Sequence, residues 1–236
     1  MAPPAPVRQL VVLTHPAPES FCAEVTRRWQ SRAHRYRQHC DLRDLYRDGF
    51  DPVLKAHEQP GKAGFAPAAE NLAECQRLRE LDVLVFVYPV WFGSPPAMLK
   101  GYLERVVGSG VAFGSSEPRL KPLENVRLVQ IATSASSEPW LSEMGVRAAF
   151  HTVYDQYVAE VFGARKTYRL HLDSIGPDMT ALHGPMQLAK VDELADRVCA
   201  EANADRWSRA RSAITADRPK VVRGALATPR SAQTGE

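Results

Sequence analysis

The side chains best suited to chemistry in this sequence are two neighbouring aromatics, Trp91 and Phe92, in the stretch Pro89-Val90-Trp91-Phe92-Gly93-Ser94-Pro95-Pro96. Proline and glycine bar a regular ladder there, so both rings stand on a turning loop. Rings beside free backbone N–H groups suit a flat, polar-edged aromatic ligand, and a flavin fits that description. The same rings could instead cap the hydrophobic core. A second candidate is His15-Pro16-Ala17-Pro18-Glu19-Ser20-Phe21. Ser20 can cap a helix whose first N–H groups and macrodipole attract phosphate, or it can be a cap and nothing more. His15 could add a charge-assisted phosphate contact when protonated, near its ordinary pKa of about 6.5, or be a neutral loop histidine bonded to backbone. A third segment, Thr133-Ser134-Ala135-Ser136-Ser137, offers small residues after an apolar run.

The elements that must position these residues follow from hydrophobic period. Val83 to Tyr88 is a short apolar run, as expected of a strand buried on both faces. After Pro96, Met98, Leu99, Tyr102, Leu103 and Val106 take helical spacing. Lys100 on that helix reads as a solvated or dipole-complementing residue, and Glu104 with Arg105 as a surface or dimer-contact pair. Val7–Thr14 and Val126–Thr133 read as further buried strands, Tyr36–Leu45 as an edge strand and Lys166–Leu172 as a fifth strand. Helices are expected after Ser20 and over 68–81, 144–162 and 188–207. Residues 55–67 read as an exposed loop and Gly108–Leu123 as a long one. Strands alternating with helices predict an α/β fold, a doubly wound parallel sheet of order 2-1-3-4-5. In that order the loops after strands one, three and four, which carry the three candidate segments, lie side by side at the switch point.

Composition narrows the function classes. The 236 residues allow one α/β domain, expected over 7–212, with disordered ends at 1–6 and 213–236. Net charge is +3, and the residues after Ile214 carry four Arg/Lys against two Asp/Glu, so nucleic-acid binding is not expected. Cys22, Cys40, Cys75 and Cys199 form no zinc-type spacing. No stretch reads as a membrane span or leader, so a cytoplasmic protein without membrane insertion is expected. Neither GxGxxG nor GxxxxGK[ST] occurs, which argues against the usual dinucleotide and P-loop sites.

Three motifs in order, THPAPESF, DLYRDGFDPVL and YPVWFGSPPAMLKGYLERV, resemble those of the flavodoxin-like NAD(P)H dehydrogenase (quinone) family, the DT-diaphorase or modulator-of-drug-activity group, over roughly residues 7 to 200. The resemblance implies a noncovalent flavin, FAD from the HPxPxSF form with FMN as the alternative, and NAD(P)H as reductant. It implies ping-pong hydride transfer to a quinone-like acceptor and a homodimer with the flavin at the interface. Cofactor contacts would come from His15, Ser20, Phe21 and Cys22, from Pro89, Val90, Trp91 and Phe92, and from Thr133, Ser134 and Ala135. The backbone N–H groups of residues 90–92 would face the polar edge of the ring. Trp140 falls near a Tyr, and His151 is the residue nearest to a His, that together stabilise charge on the reduced flavin in animal members. Some relatives are regulatory subunits of ion-efflux systems, which gives an alternative of little intrinsic turnover, and a flavin-free scaffold of the same fold is a third reading.

Overall fold

The computed structural model describes residues 4–59, 63–110 and 123–216. Five strands form one parallel sheet: β1 (Arg8–Leu13), β2 (His39–Asp44), β3 (Val83–Pro89), β4 (Arg127–Thr133) and β5 (Lys166–Leu172), in the order β2-β1-β3-β4-β5. That is the order expected from the alternation of strands and helices. The central strand shows why the sheet is covered twice. Leu84, Phe86 and Tyr88 of β3 enter one core cluster, while Val83, Val85 and Val87 enter the other. A period of two in a wholly apolar strand demands helices on both faces.

On one face lie α1 (Phe21–Arg35) and α7 (His183–Ala216), with Trp29 fully buried between them and the sheet. On the other lie α2 (Ala69–Leu78), α3 (Ala97–Tyr102) and the helix that follows β4. The helix expected over 144–162 is present from Val146 to Phe162, and a short helix outside that expectation precedes it. A short α4 (Glu138–Glu143) stops at Gly145, whose φ of 68° suits a residue without Cβ, and a second helix starts there. This second helix comprises α5 (Val146–Phe150), a π-helical segment His151–Tyr157 and α6 (Val158–Phe162). The last helix, α7, overruns the expected 188–207 at both ends. Of the expected terminal tail, 213–216 are helical and 217–236 lie outside the described residues, as do residues 1–3 and most of the loop expected over 108–123. Among the described residues no helix is long and apolar enough to cross a membrane.

Two expectations fail where the second and third motifs meet. Arg105, read as a surface residue, has a side chain 1% exposed; its Nε donates to both carboxylate oxygens of Glu58 at 3.0 and 2.9 Å, and its Nη2 to Glu70 at 2.9 Å. Its Nη1 also donates to the Asp51 carbonyl. Glu58, within the segment read as an exposed loop, is equally buried. A buried guanidinium is stable only with its donors satisfied, and the loop folds inward to satisfy them. Lys100 pairs with Glu104 in solvent, as its reading required.

The same seam brings α3 against Pro52 so closely that a Cβ at Gly101 would lie 2.3 Å from the Pro52 carbonyl oxygen. Gly101→Ala therefore forces two backbones apart, with an expected loss of about 3 kcal/mol and of about 6 °C or more in Tm. Calorimetry showing an unchanged Tm would contradict this packing.

Candidate functional site

The three candidate loops leave β1, β3 and β4 at one level because the parallel ladder runs a residue beyond each strand. Thr14 N–H donates to the Val87 carbonyl (2.9 Å), Val90 N–H to Thr133 (2.7 Å) and Ser134 N–H to Leu172 (2.8 Å). The loops then touch. The rings of His15 and Trp91 meet edge to face at 5.6 Å, and Cys22 Sγ lies 3.3 Å from Thr133 Oγ1.

At the first loop, Ser20 Oγ accepts from Ala23 N–H (3.2 Å) and caps α1. The N–H groups of Phe21 and Cys22 then have no partner among the described residues, as the first turn of a helix requires. A capped helix with two orphan donors is an anion site, so the cap and phosphate readings of Ser20 are compatible. His15 accepts the Ala17 N–H at Nδ1 (3.0 Å), which leaves the ring proton for Nε2. Burial lowers its pKa below the ordinary value, so at neutral pH it is a neutral donor rather than the cation considered from sequence. The Phe21 ring packs toward Gly184 on α7 and serves the core edge. Cys22 is 1% exposed and burial pushes its thiol up to about 11, so its sulfur is held in the core, while its backbone N–H lacks a partner among the described residues. Thr14 Oγ1, buried beneath this loop, has no partner.

At the second loop, Trp91 and Ser94 exchange backbone hydrogen bonds of 2.9 and 3.1 Å around Phe92 (φ 50°) and Gly93 (φ 75°). Two central residues with positive φ make this a type I′ turn. The turn consumes the Trp91 N–H, and the ladder consumes that of Val90. Of the donors expected over residues 90–92 only the Phe92 N–H lacks a partner among the described residues, because the other two build the turn itself. Pro89 ends β3 in register with Thr133. Trp91 is 40% exposed and Phe92 fully so, which rules out the core-cap reading for Phe92.

At the third loop, Ser134 is tied down: its Oγ accepts Ser136 N–H (3.2 Å) and its carbonyl accepts Ile175 N–H (2.8 Å), while Ala135 is exposed beside Gly176. Trp140 stands half-exposed on α4. His151 lies elsewhere, on the π-helical segment, with Nδ1 3.0 Å from Asp155 Oδ2 and the Arg169 guanidinium at 3.1 Å from Nε2. Trp140 and His151 share no hydrogen bond or ring contact among the described residues, so the structure does not bring that pair together. Instead His151 groups with Arg147, Arg169 and His171 around a cavity that the sequence reading missed. The spacing carried a signal: Arg169 and His171 are two apart on a strand, and Arg147 and His151 four apart on a helix, so each pair shares a face.

A large residue in the left-handed region is strained by about 1 kcal/mol. Phe92→Gly should therefore raise the unfolding free energy by about that much, read from the urea midpoint. An unchanged or lowered midpoint would contradict the strain.

The sequence profile of the family described as Flavodoxin-like fold matches residues 8–194. Among curated proteins, the uncharacterized NAD(P)H oxidoreductase YcaK of Escherichia coli (strain K12) is 34% identical over 128 residues, 52% of this chain and 63% of that protein. NAD(P)H dehydrogenase [quinone] 1 of Cavia porcellus is 27% identical over 62% of this chain and 60% of its own length. The matched segments thus span just under two thirds of those two relatives. Among solved structures, the NAD(P)H:quinone oxidoreductase from Methanothermobacter marburgensis superposes with a TM-score of 0.72 at 22% identity, over 82% of this chain and 98% of its own. An FMN-dependent NADH-azoreductase from Bacillus anthracis, solved with FMN, gives 0.63 at 15% identity over 81% and 99%. At such identities the superpositions speak for the fold alone. The profile match covers most of the chain, with the sheet order to go with it, and the protein belongs to the family of the flavodoxin-like fold.

Proposed function

We propose that this chain is a flavin-dependent oxidoreductase that takes hydride from NAD(P)H and passes it to a quinone-like acceptor. The observation that carries the reading is the meeting of His15, Trp91 and Thr133 at one end of the sheet, beside the orphan N–H groups of Phe21 and Cys22. A flavin bound there would supply the hydride chemistry. The chain's own residues would do the rest. Phe21 and Cys22 N–H would hold a phosphate at the head of α1, with His15 Nε2–H as a neutral donor. Trp91 would stack against the ring and Phe92 N–H would donate to its polar edge, where negative charge is favoured by a fixed donor. Trp140 on α4 would wall the site.

The relatives' names support the chemistry, since they read NAD(P)H oxidoreductase, NAD(P)H dehydrogenase [quinone] and, for one from Ruminiclostridium cellulolyticum, FMN-dependent NADH:quinone oxidoreductase. The HPAPESF segment favours FAD, whereas relatives whose names state a flavin state FMN. Reductant and acceptor using one site in turn would give parallel-line steady-state kinetics. A homodimer is supported by an exposed apolar groove that includes Leu103, Val153 and Tyr157. A cytoplasmic location is supported by four cysteines that form no disulfide.

Purified protein is expected to be yellow, to bleach with NADPH and to recover with a quinone; the mass of the released cofactor names it. Trp91→Ala should weaken flavin binding by about tenfold, the loss of one stacked ring, at an unchanged Tm. A colourless protein that takes up neither FAD nor FMN would overturn the proposal.

A further inference from the structure

Away from the three loops, a cavity of about 630 Å³ opens between β4–β5 and the helix that begins at Val146. Its volume is that of a small-molecule site. Phe150 and Tyr88 form an aromatic wall, their rings stacked at 6.2 Å and 30°, and His171 adds a third ring 5.8 Å from Phe150. The polar side is cationic. Arg147 reaches it from the helix, and Arg169 and His171 from β5.

Two nitrogens of these lining residues, Arg147 Nη1 and His171 Nε2, are buried without a partner. A buried polar atom left unsatisfied costs free energy, and a ligand is one way to satisfy it. The two belong together, because after burial the Arg147 charge is the main cause holding His171 down to about 4. Three carboxylates oppose these charges, and of them Asp173 accepts from Gln187 Nε2 at Oδ1, 3.0 Å away. Asp155 Oδ2 lies 3.0 Å from His151 Nδ1, and with that nitrogen donating, His151 Nε2 accepts from Arg169. Glu138 pairs with Arg147 through Nε at 3.2 Å, which leaves Nη1 free. The segment that supplies His151 and Asp155 is π-helical over His151–Tyr157, a geometry rare in helices and frequent at functional sites.

We infer that this cavity is a second ligand site, for a small aromatic carboxylate whose anion bridges Arg147 and His171 and whose ring lies along Phe150 and Tyr88. The site is separate from the flavin platform. Val146, one residue before Arg147, lies in contact range of Gly93 at the platform's turn, so the two sites adjoin without sharing a named ligand-holding residue.

The test uses benzoate and its neutral counterpart benzamide on the full chain as purified, with flavin content measured separately by absorbance. Calorimetry follows binding, and the His171 ring resonances in NMR locate it. Benzoate should bind saturably at millimolar concentration or below and shift His171, with benzamide at least about tenfold weaker for want of the charged hydrogen bonds. Arg147→Met should weaken benzoate about tenfold, and Arg169→Met should weaken it too, whether or not the protein carries flavin. No saturable binding of benzoate to the wild-type protein would overturn the site, as would equal binding of benzamide or a shift confined to Trp91. The wild-type comparison decides the matter even where a variant fails to fold.

Discussion

The register of three central strands governs where the candidate loops of this molecule meet. Leu13 pairs with Val87 and Pro89 with Thr133, so β1, β3 and β4 end at nearly one height. The ladder then takes one more N–H from each loop before releasing the chain. In a doubly wound sheet the connections on the two sides of β1 depart to opposite faces, and the space between them cannot be filled by either. His15 meets Trp91, and Cys22 meets Thr133, because the strands below fix where each loop starts. A slip of one residue in β3 would turn Tyr88 and Phe86 from one core to the other, so the same packing that stabilises the sheet sets the site.

Within that frame, polar groups divide between those the fold consumes and those it leaves open. Val90 and Trp91 N–H are consumed, one by the ladder and one by the type I′ turn, and that turn lifts Phe92 wholly into solvent in a strained conformation. Phe21, Cys22 and Phe92 N–H are left open. Glycine would hold the turn with less strain, so a phenylalanine there is better explained by what it contacts outside the chain than by the stability of the chain. Behind the loop, Gly101 of α3 against Pro52, and Arg105 in the π-helical continuation Leu103–Val107 against Glu58, hold this helix to the segment after β2.

Much of this was legible in the sequence, for identifiable reasons. The sheet order followed from five short runs with helical spacing between them, and β5 came out at its observed limits because its polar and apolar residues are sharply bounded. The aromatic loop was legible because proline and glycine interrupt it. What escaped was non-local. Arg105 looks like any surface cation until Glu58 and Glu70 arrive from other segments. Which N–H groups a turn consumes depends on φ at Phe92 and Gly93, which residue types alone do not state. The short α4 escaped because Ser137, Glu138 and Pro139 read as loop, although a proline in the first turn also suits a helix start. His151 is only the histidine nearest to a family position that has no match here, and the helix face it shares with Arg147 directs it to the cavity beside β5.

The most direct test of the flavin platform is amide hydrogen exchange with and without saturating flavin, resolved to single residues at the loops. Phe21, Cys22 and Phe92 should gain protection on binding, because their N–H groups are the ones the fold leaves open, while Val90 and Trp91, already bonded to Thr133 and Ser94, should change little. Flavin bound with no added protection at Phe21, Cys22 and Phe92 would show that the ligand sits elsewhere and that the meeting of these loops serves another purpose.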